Sequence, residues 1–228
     1  MCYNVADMGK DSQIKSRERV AQHGEVFTAE REVKAMCDLV KNESERIDSR
    51  ILEPACGEGP FLQEMLRRKL QTVKTRYGRS PHDFELYSIV ALSSLYGVEL
   101  LEDNAQICRD NLYGIWEQAY SESGELRDEV KKAARHMVET NILCGDALTL
   151  KQHDGSPIVF AEWTLLPNGM MLRKDFELAV MLEVKDLGEQ GDLFMSGDFD
   201  PETNSFEPQP IAEYQPIEYW RVTECRRK

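Results

Sequence analysis

The segment Ile51-Leu52-Glu53-Pro54-Ala55-Cys56-Gly57-Glu58-Gly59-Pro60-Phe61-Leu62 carries the strongest chemical signal in the chain. It reads as a short strand, a glycine-containing turn and the start of a helix. Small residues at such a turn let the backbone approach a ligand closely, and the helix start presents free N–H groups. A nucleotide-like ligand is the natural occupant of the crevice beyond the strand end. Glu53 at that end suits a cationic or amine-bearing group better than a phosphate. The turn is not G-x-G-x-x-G, and no G-K-S/T follows, which argues against dinucleotide and P-loop readings.

Two more acids follow in register. Leu95-Tyr96-Gly97-Val98-Glu99-Leu100 reads as a second strand ending in Glu99, whose carboxylate has the geometry to accept both hydroxyls of a ribose. Asn141-Ile142-Leu143-Cys144-Gly145-Asp146 reads as a third strand, and Asp146 is placed to accept from the amino group of an adenine ring. Three acids on three successive strand ends around one glycine turn describe a nucleoside pocket without a phosphate.

These residues need a scaffold. Helices are expected over 28–46, with Thr28 as N-cap, and from Phe61 through Leu70. Residues 71–93 read as an intervening segment with turns at Tyr77–Gly78 and Ser80–Pro81. Further helices are expected from Asp103 to Tyr120 and from Glu125 to Glu139. Strand–helix alternation of this kind argues for an α/β fold, a doubly wound parallel sheet flanked by helices. The pattern stops near residue 155. Ile158–Leu165 and Met170–Phe176 read as a hairpin across Pro167-Asn168-Gly169, and 183–218 as acidic, loop-rich surface. The chain therefore divides into an arm over 1–22, a Rossmann-like core over 23–155, and a hairpin and loop region over 156–228 that packs on the core.

Composition narrows the function classes. The 228 residues carry 41 acidic and 28 basic side chains, a net charge of -13. A protein that grips duplex DNA unaided usually shows a basic face, so DNA contact here calls for a partner subunit. Mean hydropathy is -0.51, and no stretch approaches the roughly 18 apolar residues of a membrane helix. The first residues lack an apolar signal-peptide core, so the expectation is a cytoplasmic protein with no membrane partner. Six cysteines at wide, irregular spacing read as free thiols, and no metal site is expected. Cys56 reads as a small residue packed under the turn, and the four histidines are too scattered to nominate a general base.

Glu53-Pro54-Ala55-Cys56-Gly57-Glu58-Gly59 resembles the AdoMet-binding signature of adenine-specific DNA methyltransferases, in which an acid precedes Pro-Ala-Cys-Gly, then Ser or Thr, then Gly. Gly97-Val98-Glu99-Leu100 resembles that family's ribose-binding strand end, and Gly145-Asp146-Ala147-Leu148 its adenine-contacting turn. Upstream, His23-Gly24-Glu25-Val26-Phe27-Thr28 resembles a segment of restriction–modification methylase subunits that places Thr28 near the methionine part of the cofactor.

The resemblance covers roughly residues 22–150. It implies a methyltransferase-type sheet, S-adenosylmethionine as cofactor, and contacts from Thr28, Glu53, Pro54, Ala55, Cys56, Gly57, Gly59, Phe61, Glu99, Leu100, Asp146 and Ala147. Two departures lie inside the motifs: Ala29 stands where the family has Pro, and Glu58 where it has Ser or Thr. A larger departure follows them. The family's catalytic tetrapeptide is Asp, Asn or Ser, then two prolines and an aromatic residue. The expected window holds Ser156-Pro157-Ile158-Val159 and Leu166-Pro167-Asn168-Gly169 instead. Trp163 is the aromatic residue available there to stack on a flipped base, against the plainer reading of hairpin packing. Three functions stand open: a DNA adenine methyltransferase, a catalytically incomplete AdoMet-binding subunit that acts through a partner chain, or a methylase for a small molecule or protein.

Overall fold

The computed structural model describes Arg19, Ala21, and residues 28–124, 126–186, 197–200 and 205–228. The fold is mixed α/β. Helix α1 (Glu30–Leu39) and the single turn α2 (Lys41–Ser44) lead into β1 (Ile51–Glu53). Helices α3 (Pro60–Tyr77) and α4 (Pro81–Ser93) connect it to β2 (Leu95–Glu99). Helices α5 (Glu102–Ser121) and α6 (Asp128–Asn141) then lead to β3 (Ile142–Cys144). The three strands form a parallel sheet in the order β1-β2-β3, with Glu53 opposite Gly97 and Glu99 opposite Cys144. All three strands therefore end on the same side.

Helix α4 occupies most of what the sequence presented as an intervening segment. Its start is well specified: Ser80 accepts from the Asp83 N–H at 3.3 Å, and Pro81 fills the first turn. Its body from Phe84 to Ser93 is apolar and buried on nearly every side. A helix buried all round has no polar stripe and therefore no 3.6-residue period to detect. Thr28 differs from its expected role too. Helix α1 begins one residue later, with Ala29 at the N-cap, and Thr28 is exposed.

Alternation along β2 divides the core. Leu95 joins a large cluster fed by helices α3 to α6, including Leu62, Ile89, Leu112, Trp116 and Met137. Tyr96 and Val98 join a smaller one with Ile158, Phe160 and Leu178. The second cluster comes from the hairpin of β4 (Val159–Leu165) and β5 (Met170–Glu177) and the start of α7 (Leu178–Asp186). β4 and β5 pair antiparallel, as the sequence indicated, in a sheet separate from β1-β2-β3. Strands β6 (Gly197–Asp200) and β7 (Ser205–Pro208) pair with each other. β8 (Ala212–Glu213) and β9 (Ile217–Glu218) both pair with β5, and a 3₁₀ helix over Tyr219–Glu224 follows. Among the described residues no helix is long and apolar enough to cross a membrane.

Lys69 of α3 is fully buried. Its ammonium donates to the Ser94 hydroxyl at 2.7 Å, to the Ile47 carbonyl at 3.4 Å and to the Ser49 carbonyl, tying the loop before β1 to the helix layer. Burial pushes this group down to about 7. The unfolded chain then binds the proton more tightly than the folded one, so stability rises with pH above 7. Buried thiols and phenols such as Cys37 and Tyr120, held up by burial, ionise more readily in the unfolded chain and reverse the slope above about pH 9. Stability is expected to climb by about 2 kcal/mol from pH 7 to pH 9. Lys69→Met should flatten the climb, and urea titrations at three pH values read it directly.

Candidate functional site

The carboxyl ends of β1, β2 and β3 bring the Gly57 turn, Glu99 and the Gly145 turn together. Glu99 is the hub. Its Oε2 accepts from the Gly57 N–H at 2.8 Å, and its Oε1 accepts from the Leu101 N–H at 3.1 Å and the Asn104 amide at 3.4 Å. Its backbone carbonyl takes the Gly145 N–H at 2.9 Å. The carboxylate is 8% exposed. A carboxylate offers about four acceptor positions, and three are in use here.

The turn itself is held from below. The Cys56 N–H donates to the Val98 carbonyl at 3.0 Å, and the Gly59 N–H to the Cys56 carbonyl at 2.8 Å. The Glu58 carbonyl accepts from Gln63 at 3.0 Å and from Asn111 at 3.1 Å. Gly59 sits at φ 82°, and a Cβ there would lie 2.5 Å from the Cys108 sulfur. Gly59→Ala should therefore cost about 2 kcal/mol through left-handed backbone and overpacking together, measured by chemical denaturation. Cys56 is buried under the turn, with Cys108 and burial both raising its thiol, which disfavours the thiolate.

Glu53 is half-buried at the end of β1. Burial pushes its carboxyl up, against a hydrogen bond from the Ala55 backbone. No cation pairs with it among the described residues, so an arriving ammonium would meet an acid with little competition. Pro54 and Ala147 lie on the wall of a mainly apolar cavity of about 360 Å³, with Leu52, Tyr96, Phe160 and Phe176. Phe61 packs against the large core cluster. Leu100 is 42% exposed, and its carbonyl contacts the His153 ring at 2.9 Å.

Asp146 stands apart. Its carboxylate accepts the Leu148 N–H at 2.8 Å, and its backbone pairs with Lys151, so the acid closes its own turn. The Leu148 N–H is the largest cause holding its carboxyl below the usual range. Thr28 is exposed ahead of α1, and His23–Phe27 lie outside the described residues. Trp163 is buried in the core, with His136 edge-on at 6.1 Å and the Arg173 guanidinium 5.4 Å from its ring centre.

Asn104 and Asn111 are the supports that motif reading missed. They lie on α5 with Cys108 between them, at spacings of four and three that share one helical face. Polar amides on an otherwise apolar face were the available signal. Among the described residues no group of His, Cys, Asp and Glu is arranged to hold a metal ion. No family model, curated protein or solved structure matches the chain.

Proposed function

We propose that the chain binds S-adenosylmethionine across the carboxyl ends of β1, β2 and β3, as a methyltransferase-like protein related to the DNA adenine methyltransferases of restriction–modification systems. The observation that carries this reading is the junction of the Gly57 N–H with the Glu99 carboxylate, beside the half-buried Glu53, which has no cation partner among the described residues. In this reading Glu53 holds the amino group of the methionine part. Glu99 orients the ribose hydroxyls through its free lone-pair position and by exchange with Asn104. The small residues Ala55, Gly57 and Gly59 leave room for the ligand along the turn. The bound cofactor supplies an electrophilic methyl group. Transfer to an amine then rests on positioning and on an acceptor for developing positive charge.

One observation favours the subunit form of this function. Among the described residues, no strand after β3 pairs with β1. The chain there forms the β4–β5 hairpin in a separate sheet, and its sequence holds no acceptor loop of the Asp/Asn/Ser-Pro-Pro-aromatic kind. A partner chain would then supply that loop and the DNA contacts that a net charge of -13 disfavours.

Calorimetric titration with S-adenosylmethionine and S-adenosylhomocysteine, followed by a tritiated-methyl assay on mixed DNA, tests both forms. Saturable binding with no transfer is the expected result for the chain alone. Transfer by the chain alone would overturn the subunit form, and absence of binding would end the cofactor reading.

A further inference from the structure

A second cavity lies at the other end of the parallel sheet. It opens beside Arg50 and Ser94, the residues that precede β1 and β2, and has a volume of about 330 Å³. Small-ligand sites start at roughly this size. Because β1 and β2 run parallel, this cavity is at the opposite end from the Gly57 turn.

Its lining has an unusual composition for so acidic a chain. Arg46, Arg50 and Arg76 face it, against the single carboxylate of Asp48. Arg46 shares its charge with Glu43 at 3.2 Å and Asp48 at 3.4 Å, and Arg50 shares its own with Glu162 at 3.0 Å. Arg76 is exposed and has no ion-pair partner among the described residues. Guanidinium groups bind phosphate through paired, charge-assisted hydrogen bonds.

Aromatic surface lies beside the charge. Tyr77 and Tyr87, both in the lining, stack with centroids 3.9 Å apart and planes 8° apart. Trp163 also lines the cavity. The residue is 6% exposed, and its indole N–H is buried with no acceptor among the described residues. A buried donor left unpaired costs stability, and a ligand acceptor is one way to satisfy it. The wall is also firmly built. The Lys69 ammonium binds Ile47 and Ser94, two of its residues, from behind.

We propose that this cavity binds a nucleoside monophosphate, its phosphate on Arg76 with Arg46 and Arg50, its base against the Tyr77 and Tyr87 surface, and an acceptor atom on the Trp163 indole N–H. The site is separate from the Gly57–Glu99 crevice and does not depend on what that crevice binds.

The test is titration of the full chain with AMP, adenosine and inorganic phosphate, read by calorimetry and by tryptophan fluorescence. AMP should bind saturably and at least about tenfold more tightly than either fragment. Arg76→Ala, an exposed position that leaves the core intact, should weaken AMP about tenfold. Trp163→Phe keeps most of the ring and removes the N–H, and should weaken AMP several-fold. S-adenosylmethionine should not displace AMP. The proposal is overturned if AMP fails to bind at millimolar concentration, or if adenosine binds equally well. It is equally overturned if Arg76→Ala leaves affinity unchanged, or if S-adenosylmethionine competes.

Discussion

Glu99→Ala is expected to weaken S-adenosylmethionine binding at least tenfold and to lower stability by about 3 kcal/mol. Both effects follow from one carboxylate serving three N–H donors while keeping a lone-pair position for ligand. Removing it strands the N–H groups of Gly57 and Leu101 and takes one acceptor from the Asn104 amide, around a residue that is 8% exposed. Each stranded donor costs on the order of 1 kcal/mol or more where water does not reach. The turn over residues 54–59 also loses its only side-chain acceptor from β2, so the backbone that should approach the ligand is no longer held. Glu99→Gln separates the two effects. It keeps one acceptor oxygen for Leu101 and Asn104, but turns a donor toward Gly57 or toward the ligand hydroxyls. It should recover part of the stability and little of the affinity. Calorimetry and urea unfolding on the same preparations read both numbers. Unchanged affinity in Glu99→Ala would remove this strand end from the binding site.

Glu85→Ala should destabilise the core by about 3–5 kcal/mol. Glu85 lies on α4 and is 6% exposed. It accepts hydrogen bonds from the hydroxyls of Tyr120 on α5 and Tyr219 in the 3₁₀ helix, and the Arg127 guanidinium lies at 3.5 Å. Tyr120 in turn accepts the Arg127 backbone N–H at 3.1 Å. This one acid therefore ties the central helix, its neighbour, the start of α6 and the C-terminal segment. Loss of the carboxylate leaves the Tyr219 hydroxyl without its acceptor and takes the same acceptor from Tyr120, and breaking such a buried set costs more than never having built it. Glu85→Gln keeps an acceptor and should cost clearly less. Hydrogen exchange adds the location: amides over 219–224 should lose protection in Glu85→Ala before those of α3. A loss below about 1 kcal/mol would show that the network carries little of the fold's stability.

Much of the first half of the chain was legible because its signals are local. The turn at Gly57–Gly59 follows from a backbone that only glycine adopts readily there, and the structure places both residues at positive φ. The strand ends at Glu53 and Glu99 follow from short apolar runs meeting an acid, and the β4–β5 hairpin from two runs around Pro167-Asn168-Gly169. Periodicity revealed α5 and α6 because each has a wet face and a dry one. It missed α4, whose sides are nearly all dry. Thr28 resembled a cap in isolation, yet the helix starts at Glu30, with Ala29 at the N-cap and no side-chain cap bond.

The amino-acid order by itself thus determined the three parallel strands, the glycine turn and the acids at two of its neighbours. These depend on residues a few positions apart, whose backbone preferences and alternation act whatever the rest of the chain does. Only the tertiary structure decided that Glu99 grips Gly57, that Asp146 turns inward on its own loop, and that the hairpin forms a sheet of its own. It alone assembled Arg46, Arg76, Tyr87 and Trp163 around one cavity. Those residues belong to separate segments with no shared period. What joins them is the burial of α4 and Lys69 between the layers, and a packing constraint of that range leaves no local trace in sequence.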